Sequence, residues 1–160
     1  MGAYSLIQFF MMDLNTILET KFNEIIDSSL LSLNRARLES YHQSPEEENR
    51  ERFEKLVKLI QQGVKEKSLQ PIRDYSTAIA KERFIDGYDL QEVFTAYNVI
   101  EEEIWKQVTA GVDTTQIGRS LGLISTVIGA GKESLSVTYV SLATKTKMKT
   151  FNLSEIFDRL

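Results

Sequence analysis

The apolar residues of this 160-residue chain recur at spacings of three and four almost throughout, and no other feature constrains the fold as strongly. This spacing lines one face of an α-helix with apolar side chains, whereas a half-buried strand would alternate apolar and polar residues. Strand-type alternation is nearly absent, and the only two prolines, Pro45 and Pro71, stand where helices are expected to begin. The sequence therefore predicts an all-α protein.

Local start and stop signals divide the pattern into a bundle of five main helices and a short C-terminal helix. The first predicted helix runs from about Leu14 to about Tyr41 with Asp13 as its N-cap, and the second begins at Pro45 with Ser44 as its N-cap. The third runs from about Pro71 to Gly87, the fourth from Asp89 to Gly111, and the fifth from Asp113 to about Thr146. The short helix is predicted from Phe151. We therefore expect a lead-in or helix extension over 1–13, one helical domain over 14–146, and an exit segment with a short helix over 147–160.

Composition excludes several kinds of functional site. The chain has no cysteine and one histidine, His42, which excludes a disulfide scaffold, a thiolate zinc site and a multi-histidine metal site. Its net charge is −4, which argues against a nucleic-acid partner. We expect no catalytic residue, no metal and no cofactor.

Two uncharged segments, 1–12 and 120–131, bear on membrane association. Each is shorter than the roughly 20 residues needed to span a bilayer. No basic residue precedes the first segment, as it would in a signal peptide. We expect a cytoplasmic protein with no membrane partner.

The fifth predicted helix is unusually poor in charge, since Lys132 and Glu133 are the only charged residues between Ser120 and Thr144. Two apolar stripes indicate burial on more than one side. Glycines at 118, 122, 129 and 131 would let a neighbouring helix approach closely. The helix could be central within one chain, or it could also pack against its copy. We predict a homodimer in which this helix contributes Leu121, Ile124, Ile128, Leu135 and Val140.

Arg83 stands four residues after Ile79, on the apolar stripe of the third predicted helix. A buried charge there must be paired, and the candidate partners are Asp89, Glu92 and Glu102. We expect a structural ion pair, with an anion or carboxylate pocket as the alternative. If the bundle binds a small molecule, the expected lining is Tyr75, Arg83, Tyr97, Trp105 and Tyr139.

The run Arg83-Phe84-Ile85-Asp86-Gly87-Tyr88-Asp89-Leu90-Gln91-Glu92-Val93, followed by Tyr97 and Glu101-Glu102-Glu103-Ile104-Trp105, resembles part of a known domain. It is similar to the N-terminal helical domain of RsbRD-type regulators, bacterial stress-response proteins that are co-antagonists of the RsbT kinase. Similar domains precede histidine kinases. The resemblance covers roughly residues 14–145.

The resemblance implies a non-enzymatic sensory input domain placed ahead of an output module, such as a kinase core or a STAS domain, to which the exit segment over 147–160 would lead. From the apolar stripes and glycines of the fifth helix we expect it to signal by helix repacking in a dimer. The implied partner is a downstream kinase or STAS-type protein, and no binding residue is implied. The related RsbR input domain is globin-like without haem, so a globin-like arrangement is an alternative to an up-down bundle. The alternative functions are a small-molecule-binding bundle and an all-helical enzyme acting on an anionic substrate.

Overall fold

The computed structural model describes residues 11–147, and over this range the chain is a helical bundle without strands, as predicted. The helices are α1 (Leu14–Thr20), α2 (Phe22–Ala36), α3 (Glu39–Gln43), α4 (Glu46–Glu66), α5 (Gln70–Ile85), α6 (Leu90–Gly111) and α7 (Ile117–Lys147). The first ten residues of the predicted lead-in and the short helix predicted from Phe151 lie outside the described residues. None of the helices between residues 11 and 147 is long and apolar enough to cross a membrane.

The prediction of one helix from Leu14 to Tyr41 is wrong, because the chain breaks twice in that range. Asp13 caps α1 as expected, accepting a hydrogen bond from the Thr16 N–H at 2.8 Å. At Lys21 the backbone bends (φ −98°, ψ 8°), and at Arg37 it enters the left-handed region (φ 51°) and ends α2. The second break turns α3 back onto the bundle and buries Tyr41 in the core.

The starts of α4 and α7 also differ from the prediction. Pro45 itself occupies the N-cap position of α4, and the Ser44 hydroxyl accepts a hydrogen bond from Arg52 Nη1 at 3.0 Å instead of capping the helix. Asp113 was expected to open the last main helix. It accepts a hydrogen bond from the Thr115 N–H at 2.8 Å, which forms a turn, and α7 begins at Ile117.

The boundary between α5 and α6 agrees with the prediction. Gly87 has φ +83°, and the backbone N–H of Tyr88 donates to the Arg83 carbonyl at 2.9 Å. Together with the Gly87 N–H to Phe84 carbonyl bond, this is a Schellman ending, which requires a residue in the left-handed region. Asp89 and Glu92 then form the capping box of α6.

One side of α7 lies against α4, α5 and α6, and its interface with α5 is the most extensive between any two described helices. Its core residues include Ile124, Val127, Ile128 and Leu135. The expected close approach at its glycines occurs at Gly131, where an added Cβ would lie 2.9 Å from Ser76 Oγ. At Gly118, Gly122 and Gly129 a Cβ would meet nothing within 4 Å. Within the protomer α7 is therefore buried on one side only, which contradicts a helix enclosed by its own chain and leaves packing against a copy as a prediction.

Candidate functional site

Arg83 lies near the end of α5 and its side chain is 1% exposed. The Schellman ending folds Tyr88 back over it, so that Arg83 Cζ lies 4.5 Å from the centroid of the Tyr88 ring. A second ring, that of Tyr41, has its centroid 5.9 Å from Cζ. The two rings meet edge to face, 5.2 Å apart. The guanidinium is thus bordered by aromatic rings from two different parts of the chain.

The expected pairing of Arg83 with Asp89, Glu92 or Glu102 is wrong. The acidic groups near it are Glu82 and Asp86, whose oxygens lie 3.5 Å and 3.8 Å from Nη1. Both distances are too long for good hydrogen bonds, and both carboxylates are half exposed.

The capping box explains why Glu92 does not pair with Arg83. One oxygen of Glu92 accepts from the Ser40 N–H at 3.0 Å, and the other accepts from the Ser40 hydroxyl at 2.6 Å and from the Asp89 N–H at 3.3 Å. Burial by itself would raise the pKa of Glu92, but these hydrogen bonds outweigh it and hold the pKa below its ordinary value. Glu102, for its part, lies 3.3 Å from Lys106 and is exposed.

A small cavity adjoins Arg83 at the meeting point of α3, α4, α5 and α6. Its volume is about 20 Å³. We call it the Arg83 cavity, and its lining residues are Tyr41, Arg52, Phe53, Leu56, Tyr75, Ile79, Arg83, Val93, Ala96 and Tyr97. Half of these ten residues are apolar, and the others are two arginines and three tyrosines.

The three tyrosines of the cavity wall stay protonated at neutral pH. Burial raises the pKa of Tyr41 and of Tyr97 well above the ordinary value, and it raises the pKa of Tyr75 to about 12, although Arg83 and Arg52 act in the opposite direction on Tyr41 and Tyr75. The Tyr97 hydroxyl is hydrogen-bonded to Ser76 Oγ at 2.8 Å. The cavity wall thus carries neutral phenols and no carboxylate.

Arg52 differs from Arg83 in being well bonded. Its Nη1 donates to Ser44 at 3.0 Å and to Asn49 at 3.2 Å, and its Nη2 donates to Glu48 at 3.0 Å. Arg52 and Arg83 also line an open surface groove of about 300 Å³ between α3 and the end of α5. The two arginines therefore separate the Arg83 cavity from this groove.

Three of the five residues expected to line a ligand pocket meet at the cavity, namely Tyr75, Arg83 and Tyr97. Trp105 lies farther along α6 and is 41% exposed. Tyr139 packs edge-on against Phe84, with the ring centroids 5.6 Å apart. Its hydroxyl donates to the Tyr88 carbonyl at 3.1 Å, so it fixes the α5–α6 turn from α7 and does not line the cavity.

Sequence reasoning missed Tyr41 and Arg52 as members of the site. Arg52 stands four residues after Glu48, a spacing that predicts an ion pair on a solvated helix face, and Tyr41 stands at the end of the single predicted first helix. A sequence signal for Tyr41 exists in hindsight, since it follows a polar stretch as the only aromatic residue between Phe22 and Phe53. Tyr41 reaches the cavity because the backbone turns at Arg37, which has a left-handed conformation. Arg37 is neither a glycine nor a proline, so the sequence gives no sign of this turn.

The residues predicted for a dimer interface divide between the core and the surface. Ile124, Ile128 and Leu135 are buried within their own chain, and Leu121 is half-buried. Val140 is 58% exposed, together with Val137 at 64%. The first three side chains are therefore occupied in the core, which is a correction to the predicted interface.

The exposed side of α7 forms a continuous stripe, which we call the outer face of α7. It consists of Gly122, Thr126, Gly129, Glu133, Val137, Val140 and Thr144. Glu133 is its one charged residue and lies 3.2 Å from Arg73 Nη2 of α5. The other charged residue in this part of the helix, Lys132, points inward to Glu101.

Within residues 11–147, no group of three or more histidine, aspartate or glutamate side chains is placed to hold a metal ion. Comparison of the chain with protein-family models, with curated proteins and with solved structures gives no match.

Proposed function

We propose that this chain is a non-enzymatic sensory input domain that works as a homodimer and transmits its signal along α7. The observation that carries the proposal is the outer face of α7. The helix is 31 residues long, one side of it is built into the core, and its outer face, from Gly122 to Thr144, carries a single charged residue, Glu133. Above Gly122 and Gly129 on this face an added Cβ would meet nothing within 4 Å. The resemblance of residues 83–105 to the RsbRD-type input domain supports the same role.

The glycines of the outer face support a partner helix. Each glycine in a helix interior costs about 1 kcal/mol relative to alanine. Gly131 has a reason within the chain, because Ser76 leaves no room for a Cβ. No contact within the protomer explains why glycine stands at 122 and 129, since the space above both residues is open. Close packing of a partner helix on that side would explain it, because a Cβ would keep the two helices apart.

A second copy of this chain fits the face better than a charged partner does. A two-fold interface brings the same surface together from both subunits, so the surface must be complementary to itself. Arg73 and Glu133 place one positive and one negative group at this face, and the exposed apolar side chains are Val137 and Val140. Such a face does not repel its own copy.

The association is tested by replacing Val137 and Val140 with lysine and measuring the molecular mass by sedimentation equilibrium. Both side chains are exposed in the protomer, so the change leaves the core intact. We expect the unmodified chain to be a dimer at micromolar concentration and the double variant to be a monomer. Leu31→Lys is the matched control, because Leu31 is 58% exposed on α2, and this variant stays dimeric. A monomeric unmodified chain refutes the homodimer.

The signalling role is tested by fusing a histidine kinase core directly after Lys147, where the described part of α7 ends. Two residues inserted at the junction rotate the output by about 200°, whereas seven return it to within about 20° of its original orientation. We expect autophosphorylation to change with the two-residue insertion and to be restored with seven. Equal activity of all three fusions contradicts transmission through α7.

A further inference from the structure

One edge of the Arg83 guanidinium is buried and unpartnered. Nε and Nη2 have no hydrogen-bond partner, whereas the nearby acidic groups, Glu82 and Asp86, lie on the side of Nη1. The Nε–H and the adjacent Nη2–H point in nearly parallel directions. This pair of donors matches the two oxygens of a carboxylate. The edge suited to a planar two-oxygen anion is thus the one that the protein leaves free.

Such an edge calls for an acceptor. Buried polar groups are nearly always hydrogen-bonded, and an arginine cannot lose its proton to avoid the cost. The rings of Tyr41 and Tyr88 attract the positive charge, but they offer no in-plane acceptor to the two free N–H groups. Ser29 has the other buried atom without a partner in the described residues, and it lies on α2, away from this cavity wall.

We propose that the Arg83 cavity binds a small monocarboxylate of formate or acetate size, whose oxygens accept from Nε and Nη2 of Arg83. The cavity has a volume of about 20 Å³. A single water needs about 10–15 Å³, so the space is one to two water molecules in size, which suits the head of a one- or two-carbon carboxylate and excludes a long chain. The apolar side chains of Phe53, Leu56 and Ile79 suit the hydrogen or methyl group at the other end of the anion.

The electrostatics of the cavity favour an anion over a neutral guest. Two cations, Arg52 and Arg83, line it, and no carboxylate does. Arg52 is already bonded to Ser44, Asn49 and Glu48, so Arg83 is the cation with free donors. Tyr75 remains a neutral phenol that can donate to an oxygen of the guest.

A bound carboxylate would lie next to residues that contact α7, so its binding could be transmitted to that helix. This link between binding and α7 rests on the proposed signalling function. Tyr88 covers Arg83, and Tyr139 of α7 donates to the Tyr88 carbonyl. Tyr97 of the cavity wall lies against α7 at Gly131. Occupancy of the cavity therefore acts on the α5–α7 interface from two sides. Binding itself does not depend on the dimer.

The test compares thermal unfolding in sodium acetate and in sodium chloride at equal ionic strength. For the unmodified chain we expect acetate to raise Tm in a saturable way, by about 3–6 °C at a tenfold excess over Kd. Arg83→Met is expected to abolish the response. Lys81→Gln, which removes an exposed positive charge from the same helix, is the matched control and keeps the response.

A second variant keeps the arginine and removes the space. Ala96→Val adds two methyl groups to a buried residue of the cavity wall, and we expect it to lose most of the acetate response while Arg83 is retained. Line broadening of isotope-labelled acetate in nuclear magnetic resonance gives a readout that does not depend on unfolding.

Four results overturn the proposal. The first is an unmodified chain that shows neither acetate broadening nor a rise in Tm beyond that in chloride. The second is an undiminished response in Arg83→Met and Ala96→Val. The third is an equal response to chloride, which would assign the cavity to a spherical ion. Formate and acetate are expected to bind more tightly than octanoate, and the reverse order would place the ligand on an outer surface.

Discussion

Replacing Arg83 with methionine is expected to raise the free energy of unfolding by about 1–2 kcal/mol in buffer free of carboxylates. The change removes the contact with Tyr88, where Cζ lies 4.5 Å from the ring centroid, and this costs about 1–2 kcal/mol. It also removes the long ion pairs with Glu82 and Asp86, which are worth about 0–1 kcal/mol because both carboxylates are half exposed. Against this, two buried donors without partners disappear, at about 1–3 kcal/mol each.

Arg83→Ala separates the charge from the side chain's volume. Methionine keeps an unbranched stem of similar width, whereas alanine leaves the space between the rings of Tyr41 and Tyr88 unfilled. We expect the alanine variant to be less stable than the methionine variant by about 2–3 kcal/mol. Urea denaturation followed by far-ultraviolet circular dichroism, at one fixed protein concentration, measures both differences.

The outcome that would refute this reasoning is a loss of about 3–5 kcal/mol in Arg83→Met, the size expected when one partner of a buried ion pair is removed. Such a loss would mean that the guanidinium makes strong bonds that the geometry around it does not show. A double-mutant cycle with Tyr88→Leu isolates the ring contact, whose coupling energy we expect to be about 1 kcal/mol.

Two further predictions concern α7 and the start of α6. Both variants are made in the Val137→Lys, Val140→Lys background, in which no partner helix covers the outer face of α7. There Gly131→Ala is expected to lower the free energy of unfolding by about 1–3 kcal/mol, because the new Cβ would lie 3.0 Å from Tyr97 Cε1, whereas Gly129→Ala raises it by about 1 kcal/mol. Urea titrations of this matched pair decide the point, and equal effects would contradict it. The pKa of Glu92 is lowered in the folded protein, so its stabilising effect is complete above about pH 5 and is lost as pH falls through the folded pKa. The stability difference between the unmodified chain and Glu92→Gln therefore shrinks from pH 7 to about pH 3, and a constant difference would show that Ser40 does not favour the charged form.

Elements with strong local signals were predictable from the sequence. Pro71 at the start of α5, Gly87 after its end, and the Asp89–Glu92 capping box all act within one helical turn, and each lies where it was expected. The breaks at Lys21 and Arg37 were not predictable, because neither is a glycine or a proline. There the long-range burial of Tyr41 outweighs the local preference to continue the helix.

The sequence predicted that Arg83 is buried, but it did not predict which residues contact it. The position of Arg83 on the apolar stripe correctly indicated a buried charge. Proximity in sequence suggested Glu92 as its partner, but Ser40, which is 52 residues away in the chain, takes that carboxylate. Tyr88 reaches the guanidinium because the Schellman ending reverses the chain, and the side-chain consequences of that reversal cannot be read from residue spacing.

The shared carboxylate of Glu92 also ties the integrity of two distant segments together. The same side chain completes the first turn of α6 and holds the backbone and hydroxyl of Ser40 in α3. If α3 separates from the bundle, Glu92 keeps its bond to the Asp89 N–H and loses its two bonds to Ser40. If the first turn of α6 unfolds, Glu92 is no longer held in place and α3 loses the same two bonds. The five-residue α3, too short to persist as a helix alone, therefore belongs to the same cooperative opening unit as the α5–α6 turn. Hydrogen exchange of the backbone amides in both places should report the same free energy of opening, although 52 residues separate them in the chain.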